Sequence, residues 1–308
     1  MTGRENGRAT EEIVLKRLQD KVAIVTGAGG GLGRTHALEL ARQGARDVVN
    51  DLGETAQSVA EEIRLAGGTA IGCAGNVTRH EDMQAMVAQA VAAFGRVDIL
   101  VNNAGILRDR TFAKMPLEDF RLVLDVHVMG SVNAAKAVWP HMQAQRHGRI
   151  VMTTSSSGLY GSFGQSNYAA AKMALVGLMQ TLALEGAKHG IRVNCLAPSA
   201  VTAMTADLLP PEAAQILTPE RVSLGLVALV DDDAPTRAIL LAGGGSFECA
   251  HITMTRGIHV ADGEDAAQAL HDRLPQVQAQ AGQTLPESGW EQPRFELAKA
   301  LGQAGDFT

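Results

Sequence analysis

A doubly wound α/β fold, with a parallel sheet and helices on both faces, is predicted for this 308-residue chain by three observations. Short β-branched runs alternate repeatedly with stretches of helical periodicity, as in a parallel sheet built by crossovers. A glycine-rich turn, Gly27-Ala28-Gly29-Gly30-Gly31-Leu32-Gly33, joins the first strand to its helix. Gly29, Asp51, Asn102 and Ser155 all fall at carboxyl ends of predicted strands, where open parallel sheets bind their ligands.

Residues 1–20 read as an N-terminal arm, with an amphipathic piece over 11–18 preceded by polar residues, suited to an oligomer contact. Val22-Ala23-Ile24-Val25 is a buried strand, and apolar residues recur at helical spacing over 32–43. Further units follow: a strand over 47–50 and helix over 54–66, a strand over 69–73 and helix over 79–94, then a strand over 97–101. Asn102-Asn103-Ala104-Gly105 leads into a long helical region over 116–146. The strand Arg149-Ile150-Val151-Met152 ends in five hydroxyl residues, Thr153 to Ser157, followed by a glycine-rich loop and a helix from Asn167 to about His189. A strand over 191–196 comes next, and 238–241 is the last one expected. Gly243-Gly244-Gly245 is a turn, since no helix opens from it. The α/β domain therefore covers 21–262. Residues 263–308 form a C-terminal extension, rich in Gln and Ala and broken by Pro275, Pro286 and Pro293. With Trp290 and Phe295 as anchors, it is expected to pack on its own or a neighbouring subunit rather than to form a second domain.

A glycine-rich turn between strand and helix lets the backbone approach a pyrophosphate, whose charge the helix N-terminus favours. A merely flexible loop is the alternative, and the flanking elements argue against it. Asp51 lies 24 residues after Gly27, at the end of the second strand. There a carboxylate accepts hydrogen bonds from an adenosine ribose and repels a 2′-phosphate, which favours NAD over NADP; a loop aspartate or a helix N-cap is the competing reading. Tyr168 and Lys172, four apart on a helix, share one face. A free phenol is a poor base near neutral pH, and an adjacent ammonium favours the phenolate. Ser155, at the strand end, can hydrogen-bond a substrate oxygen against that phenol. The same spacing also arises by chance on half-buried helices.

Composition excludes other classes. The chain is 46% apolar, enough to bury a large core, and carries a net charge of −6 without a run of five basic residues, so nucleic acid is not an expected partner. No apolar stretch approaches the roughly 20 residues that span a bilayer, and the first 20 residues are too polar for a signal peptide, so a soluble, cytoplasmic protein is expected. Cys73, Cys195 and Cys249 are too few and too widely spaced for a disulfide framework and are expected to be reduced and buried. The histidines include no metal-ligand pair on a helix face, so no catalytic metal is expected.

In order, Thr26-Gly27 with Gly31 and Gly33, Asn102-Asn103-Ala104-Gly105, Ser155, and Tyr168 with Lys172 resemble the short-chain dehydrogenase/reductase family over residues 20–262. Four runs are similar to one branch of it: Gly29 to Arg34, Val49 to Gly53, Ala104 to Arg110, and Tyr160 to Gln165. That branch contains the (3R)-hydroxyacyl-CoA dehydrogenase part of the peroxisomal multifunctional enzyme of β-oxidation, whose human member also oxidises 17β-hydroxysteroids. The resemblance implies a Rossmann fold, NAD as cofactor, and a homodimer or homotetramer. It makes Tyr168 the general acid/base and Ser155 the residue that orients the carbonyl or alcohol oxygen. Lys172 lowers the tyrosine pKa and holds the nicotinamide ribose. Gly27, Gly29, Gly31, Leu32, Gly33, Asp51, Asn76, Val77, Asn103, Ala104, Gly105, Pro198, Val201 and Thr202, together with Tyr168 and Lys172, become cofactor contacts.

Two departures from the wider family matter. His127 stands where a catalytic asparagine is usual, three before Gly130; a packed helix histidine is the simpler reading, an independent acid/base the other. Pro198-Ser199-Ala200 replaces the common Pro-Gly, which restricts the loop before Val201 and Thr202. Leu159, Tyr160, Phe163 and Met204 are candidate walls of a hydrophobic substrate pocket, with a lid over 204–219, or else ordinary packing. Arg108 and Arg110 are candidates to meet a phosphorylated carrier such as coenzyme A. The implied substrate is a hydrophobic alcohol or ketone, a (3R)-hydroxyacyl-CoA ahead of a 17β-hydroxysteroid. A non-catalytic NAD-binding sensor is the reading from another class; such sensors lack the tyrosine or lysine that this chain keeps.

Overall fold

The computed structural model describes residues 16–202, 213–261 and 265–302. Most of the N-terminal arm, the candidate Met204 and the first part of the expected lid lie outside them. The described chain divides into two compact units, Met1–Cys249 and Ala250–Thr308.

The first unit alternates strand and helix as expected. In order it contains β1 (Val22–Thr26), α1 (Gly31–Arg42), β2 (Arg46–Asp51), α2 (Thr55–Leu65), β3 (Thr69–Ala74), α3 (His80–Phe94) and β4 (Ile99–Asn102). Then come α4 (Leu117–Leu124), α5 (Gly130–Gln145), β5 (Gly148–Thr153), α6 (Ser156–Tyr160), α7 (Ser166–Gly186), β6 (Ile191–Ser199), α8 (Ala213–Ile216), α9 (Pro219–Val230), β7 (Ile239–Gly243) and β8 (Ser246–Ala250). Local chemistry sets the boundaries. Glu81 and Asp82 occupy the first turn of α3, Gly95 ends that helix at φ 81°, and Pro219 opens α9.

The strands form one sheet in the order β3-β2-β1-β4-β5-β6-β7-β8, and every pair from β3 to β7 is parallel. Strand order reverses between β1 and β4, which opens a crevice at their carboxyl ends. The buried side chains of α1, α2 and α9 meet one face of the sheet through Val25, Val49, Val101 and Val151. On the other side α3 packs on α5, and α7 lies along β5 and β6. The sheet core is fully buried: β1 and β4 have no exposed residue.

Three expectations need correction. The strand at 238–241 is not the last: Gly244 and Gly245, with φ of 61° and 87°, make a two-residue turn into β8, and so short a connection closes only an antiparallel hairpin. The glycine-rich loop after the hydroxyl cluster begins with the short helix α6, capped by Ser155, whose Oγ accepts the Ser157 N–H at 3.2 Å. Cys73 and Cys195 are buried as expected, but Cys249, on β8, is exposed; all three are free thiols. Among the described residues no helix is long and apolar enough to cross a membrane.

One core residue violates the rule that buried charges are paired. Asp47, in β2, is fully buried and neither carboxyl oxygen has a hydrogen-bond partner. Burial pushes its pKa well above the usual carboxylate range. The folded state therefore keeps a proton that the unfolded chain has released, so stability falls as pH rises from about 4 toward the folded-state pKa. Asp47→Val, matching the adjacent Val48 and Val49, should raise the unfolding free energy at neutral pH by about 1–3 kcal/mol in urea titrations. That gain should shrink toward pH 4, where the unfolded carboxyl also becomes protonated.

The second unit holds α10 (Ala266–Asp272), α11 (Leu274–Val277) and α12 (Glu291–Ala300). Met254 and Thr284 form an antiparallel bridge within it, and Phe295 is its buried anchor. Trp290, the other expected anchor, is 83% exposed.

Candidate active site

A cavity of about 390 Å³ lies at the carboxyl ends of β1, β2, β4 and β5. At one end it is lined by Gly27, Gly31, Leu32, Gly33 and Asp51, and at the other by His127, Tyr168 and Lys172. Asn76, Val77, Asn103, Ala104, Gly105, Pro198 and Thr202 complete the predicted part of its lining. Gly29, Ser155, Leu159, Tyr160, Phe163 and Val201 are not in that lining. Tyr160 and Phe163 are 68% and 94% exposed, Leu159 is half-buried, and the Val201 N–H is spent on Leu217 O at 2.8 Å.

Sterics explain the glycines. A Cβ on Gly33 would stand 2.2 Å from the Gly27 carbonyl oxygen, and one on Gly27, at φ 62°, would stand 2.7 Å from Ala104 Cα. Only glycine lets α1 start this close to the β4 loop. No side chain caps α1 and its first turn carries no acid, so its free N–H groups face the cavity with a partial positive charge. Thr26 Oγ1 accepts the N–H groups of Asn103 and Ala104 at 3.1 and 3.2 Å, and Asn103 Nδ2 donates to the carbonyls of Thr26 and Gly27, both at 3.0 Å. The two loops are thus one unit. Asp51 Oδ2 accepts the Gly29 N–H at 2.8 Å and Oδ1 the Leu52 N–H at 2.7 Å, so Gly29 shapes the loop through Asp51. Asn76 Oδ1 is occupied by the Thr78 N–H and hydroxyl at 3.0 and 2.9 Å, which leaves its amide nitrogen for a ligand.

These features fit a dinucleotide: glycine walls that a Cβ would fill, an uncapped helix start, and a carboxylate at the far end of the crevice. The residues at the near end supply proton chemistry. Lys172 is 3% exposed, and its Nζ donates to Thr153 O at 2.5 Å. It sits 5.4 Å from the centroid of the Tyr168 ring. Burial pulls the Lys172 pKa down to about 7. The Tyr168 phenol is pushed up from its ordinary value by burial, which outweighs the lowering by its hydrogen bond with Ser155, while Asp109 adds a further raise. In the chain by itself the net shift of the phenol is therefore upward. Burial weakens the ammonium and the phenolate alike, an effect that spacing along a helix does not reveal.

His127 belongs to a π-helical turn, Asp125–Met129, between α4 and α5. Its ring is 2% exposed, stands edge-on to Tyr168 with centroids 5.3 Å apart, and covers Gly105. Nε2 lies 3.0 Å from the Ile106 N–H nitrogen and 2.8 Å from its carbonyl oxygen; a neutral ring serves one of these at a time. Burial first, and the Lys172 charge second, hold its pKa down to about 3. A ring this hard to protonate is neutral near pH 7, with its Nε2 held against Ile106.

Sequence reasoning missed Asn50, Leu52, Gly75, Ile106, Val126 and Thr153, which also line the cavity, and the buried Asn167 beside Tyr168. The Asn167-Tyr168 adjacency was the available signal for the last of these. Arg108 and Arg110 are exposed, and Arg108 Nε lies 3.8 Å from Asp119. Among the described residues no three His, Cys, Asp or Glu side chains gather as a metal site.

Comparison with known proteins agrees with this geometry. Peroxisomal multifunctional enzyme A of Dictyostelium discoideum is 40% identical over 299 residues, 94% of this chain and 67% of that protein. Full-length peroxisomal multifunctional enzyme type 2 from Drosophila melanogaster matches with a TM-score of 0.77 at 33% identity, over 92% of this chain and 51% of that one. The chain therefore spans about half of the Drosophila protein. A 7α-hydroxysteroid dehydrogenase, solved with NADH and 7-oxo glycochenodeoxycholic acid, matches with a TM-score of 0.70 at 31% identity, over 75% of this chain and 96% of that one. The short chain dehydrogenase profile covers residues 21–213, and with such relatives the chain belongs to the short-chain dehydrogenase/reductase family of oxidoreductases.

Proposed function

We propose that the chain is an NAD-dependent dehydrogenase that interconverts a secondary alcohol and a ketone on a hydrophobic substrate, a (3R)-hydroxyacyl-CoA, with Tyr168 as the general acid/base. The observation that carries this reading is the single cavity that joins the glycine turn and Asp51 to Tyr168 and Lys172. The glycine turn, Asp51 and Lys172 would hold NAD, which would supply the hydride acceptor for the carbinol carbon. Tyr168 Oη removes the alcohol proton in oxidation and returns it in reduction, while the Ser155 hydroxyl holds the substrate oxygen. Lys172, anchored on Thr153 O, meets the ribose and supports the phenolate. A phenol with a raised pKa is protonated at neutral pH, so reduction starts from the ready form and oxidation should accelerate as pH rises.

The thioester substrate is supported by the similarity to peroxisomal multifunctional enzymes, over nearly the whole chain in the Dictyostelium case. Similarity to the 7α-hydroxysteroid dehydrogenase favours a second reading, a hydroxysteroid as substrate. NADH formation from NAD with a medium-chain (3R)-hydroxyacyl-CoA and, in parallel, with 17β-estradiol separates the two. Turnover of the thioester alone is expected; turnover of the steroid alone would replace it.

Asp51 is assigned to the adenosine ribose. In Asp51→Ala the ratio of kcat/KM for NAD over NADP should narrow by about tenfold, equivalent to about 1.4 kcal/mol. An unchanged ratio would remove Asp51 from cofactor choice.

A further inference from the structure

Residues 105–110 and the start of α7 are fastened together by contacts that the proposed chemistry does not use. The Arg110 N–H donates to Gly164 O at 2.8 Å, and Gln165 Nε2 donates to Asp109 Oδ2 at 2.7 Å. Asn167 Nδ2 donates to Arg108 O at 2.9 Å. The far end of the same segment is gripped at Ile106 by the His127 ring. Gly164 and Gln165 are partly exposed, whereas Asn167 is fully buried. Its amide also works in two directions, because Oδ1 accepts the Tyr168 N–H at 2.7 Å. That N–H lies in the first turn of α7, where backbone donors have no partner within the helix. A buried amide satisfied at both ends fixes the geometry of both partners, and removing it strands a carbonyl and an N–H together.

Resting on the reading of Tyr168 as the acid/base, we propose that Asn167 is a positioning residue that locks the first turn of α7 to the Arg108–Arg110 segment and so sets where the Tyr168 phenol stands relative to Ser155 and the substrate oxygen. The two halves of the site then move as one. The segment that carries Arg108 and Arg110 is tied to the helix that carries the phenol. Asp109, on that segment, also acts on the phenol through its charge, so a loosened segment changes the electrostatic setting of Tyr168 as well as its position. None of these bonds reaches the glycine turn or Asp51.

The test uses Asn167→Ala, which loses both bonds, and Asn167→Asp, whose carboxylate still accepts the Tyr168 N–H but cannot donate to Arg108 O. Both should lose kcat by about a hundredfold, the cost of a misplacement on the order of 1 Å, with the Kd for NAD within about twofold of the parent, because that end of the cavity is untouched. An Asp variant with parental kcat would reduce Asn167 to a cap of the helix turn and overturn the proposal. Should the Ala variant not fold, the Asp variant carries the kinetic comparison. A second readout needs no substrate. The chain has two tyrosines, so in a Tyr160→Phe background the near-ultraviolet phenolate absorbance reports Tyr168 alone. Adding Asn167→Ala there should move the titration midpoint by about one pH unit, equivalent to about 1.4 kcal/mol; an unmoved midpoint overturns the proposal. A parent protein inactive on every alcohol would sink the dehydrogenase reading, yet this titration would still decide the role of Asn167.

Discussion

Tyr168→Phe should lower kcat by about a thousandfold in either direction, within the range of about 10²–10⁴ that a positioned acid/base contributes. The ring itself stays useful in the variant. It stands edge-on to His127 with centroids 5.3 Å apart, and a phenylalanine keeps that contact and the wall of the cavity. NAD should therefore bind the variant with nearly unchanged affinity, as read by quenching of protein fluorescence or by calorimetry. Stability at neutral pH should fall by no more than about 1 kcal/mol, because the phenol is protonated in both the folded and the unfolded chain and only its hydrogen bond with Ser155 is lost. The combination separates two classes of protein. An enzyme loses turnover and keeps its cofactor, whereas a sensor of NAD would lose nothing measurable. A Phe variant within about tenfold of the parent rate would remove Tyr168 from the chemistry.

The parts of this site that were legible in the sequence are those encoded by short-range pattern. The run Val22 to Val25 announces a buried strand because it is apolar without alternation, as a strand covered on both faces of a parallel sheet requires, and β1 is buried at every position. Asp51 and Gly27 converge because β1 and β2 are adjacent, parallel and in register, with Thr26 opposite Asn50. Placing both at strand ends was enough to bring them to one crevice. What pattern could not convey is depth and partner. In α6 a glycine looked like a loop signal, yet Gly158 is there because a Cβ would stand 2.8 Å from Lys172 Cβ where α6 crosses α7. In β8 four of the five residues are exposed, so no alternation marks the strand. The Tyr168–Lys172 spacing predicts proximity and is silent about burial, and burial decides both pKa values. Asp47 breaks the pairing rule in a strand that reads as ordinary, and only the fold shows that nothing answers it.

Lys172→Met should divide function from stability. The ammonium is buried, donates to Thr153 O, and has its pKa pulled down to about 7 by loss of solvent. An unfolded lysine titrates near 10.4, so between about pH 7 and pH 10 the unfolded state binds the proton that the folded state gives up. Stability attributable to this group therefore rises with pH across that window and is at its lowest, by a few kcal/mol, below it. A methionine of similar length removes the penalty and fills the same space between α6, α7 and β5. The variant should unfold at higher denaturant, most clearly at or below pH 7, with the difference from the parent closing toward pH 10. Turnover should fall by about a hundredfold or more, because no cation remains to favour the phenolate or to meet the ribose. NAD affinity should weaken too, which distinguishes this variant from Tyr168→Phe. If Lys172→Met were instead less stable than the parent at every pH, the bond to Thr153 O would outweigh the cost of burial, and the lysine would be a structural strut first and an electrostatic partner of Tyr168 second.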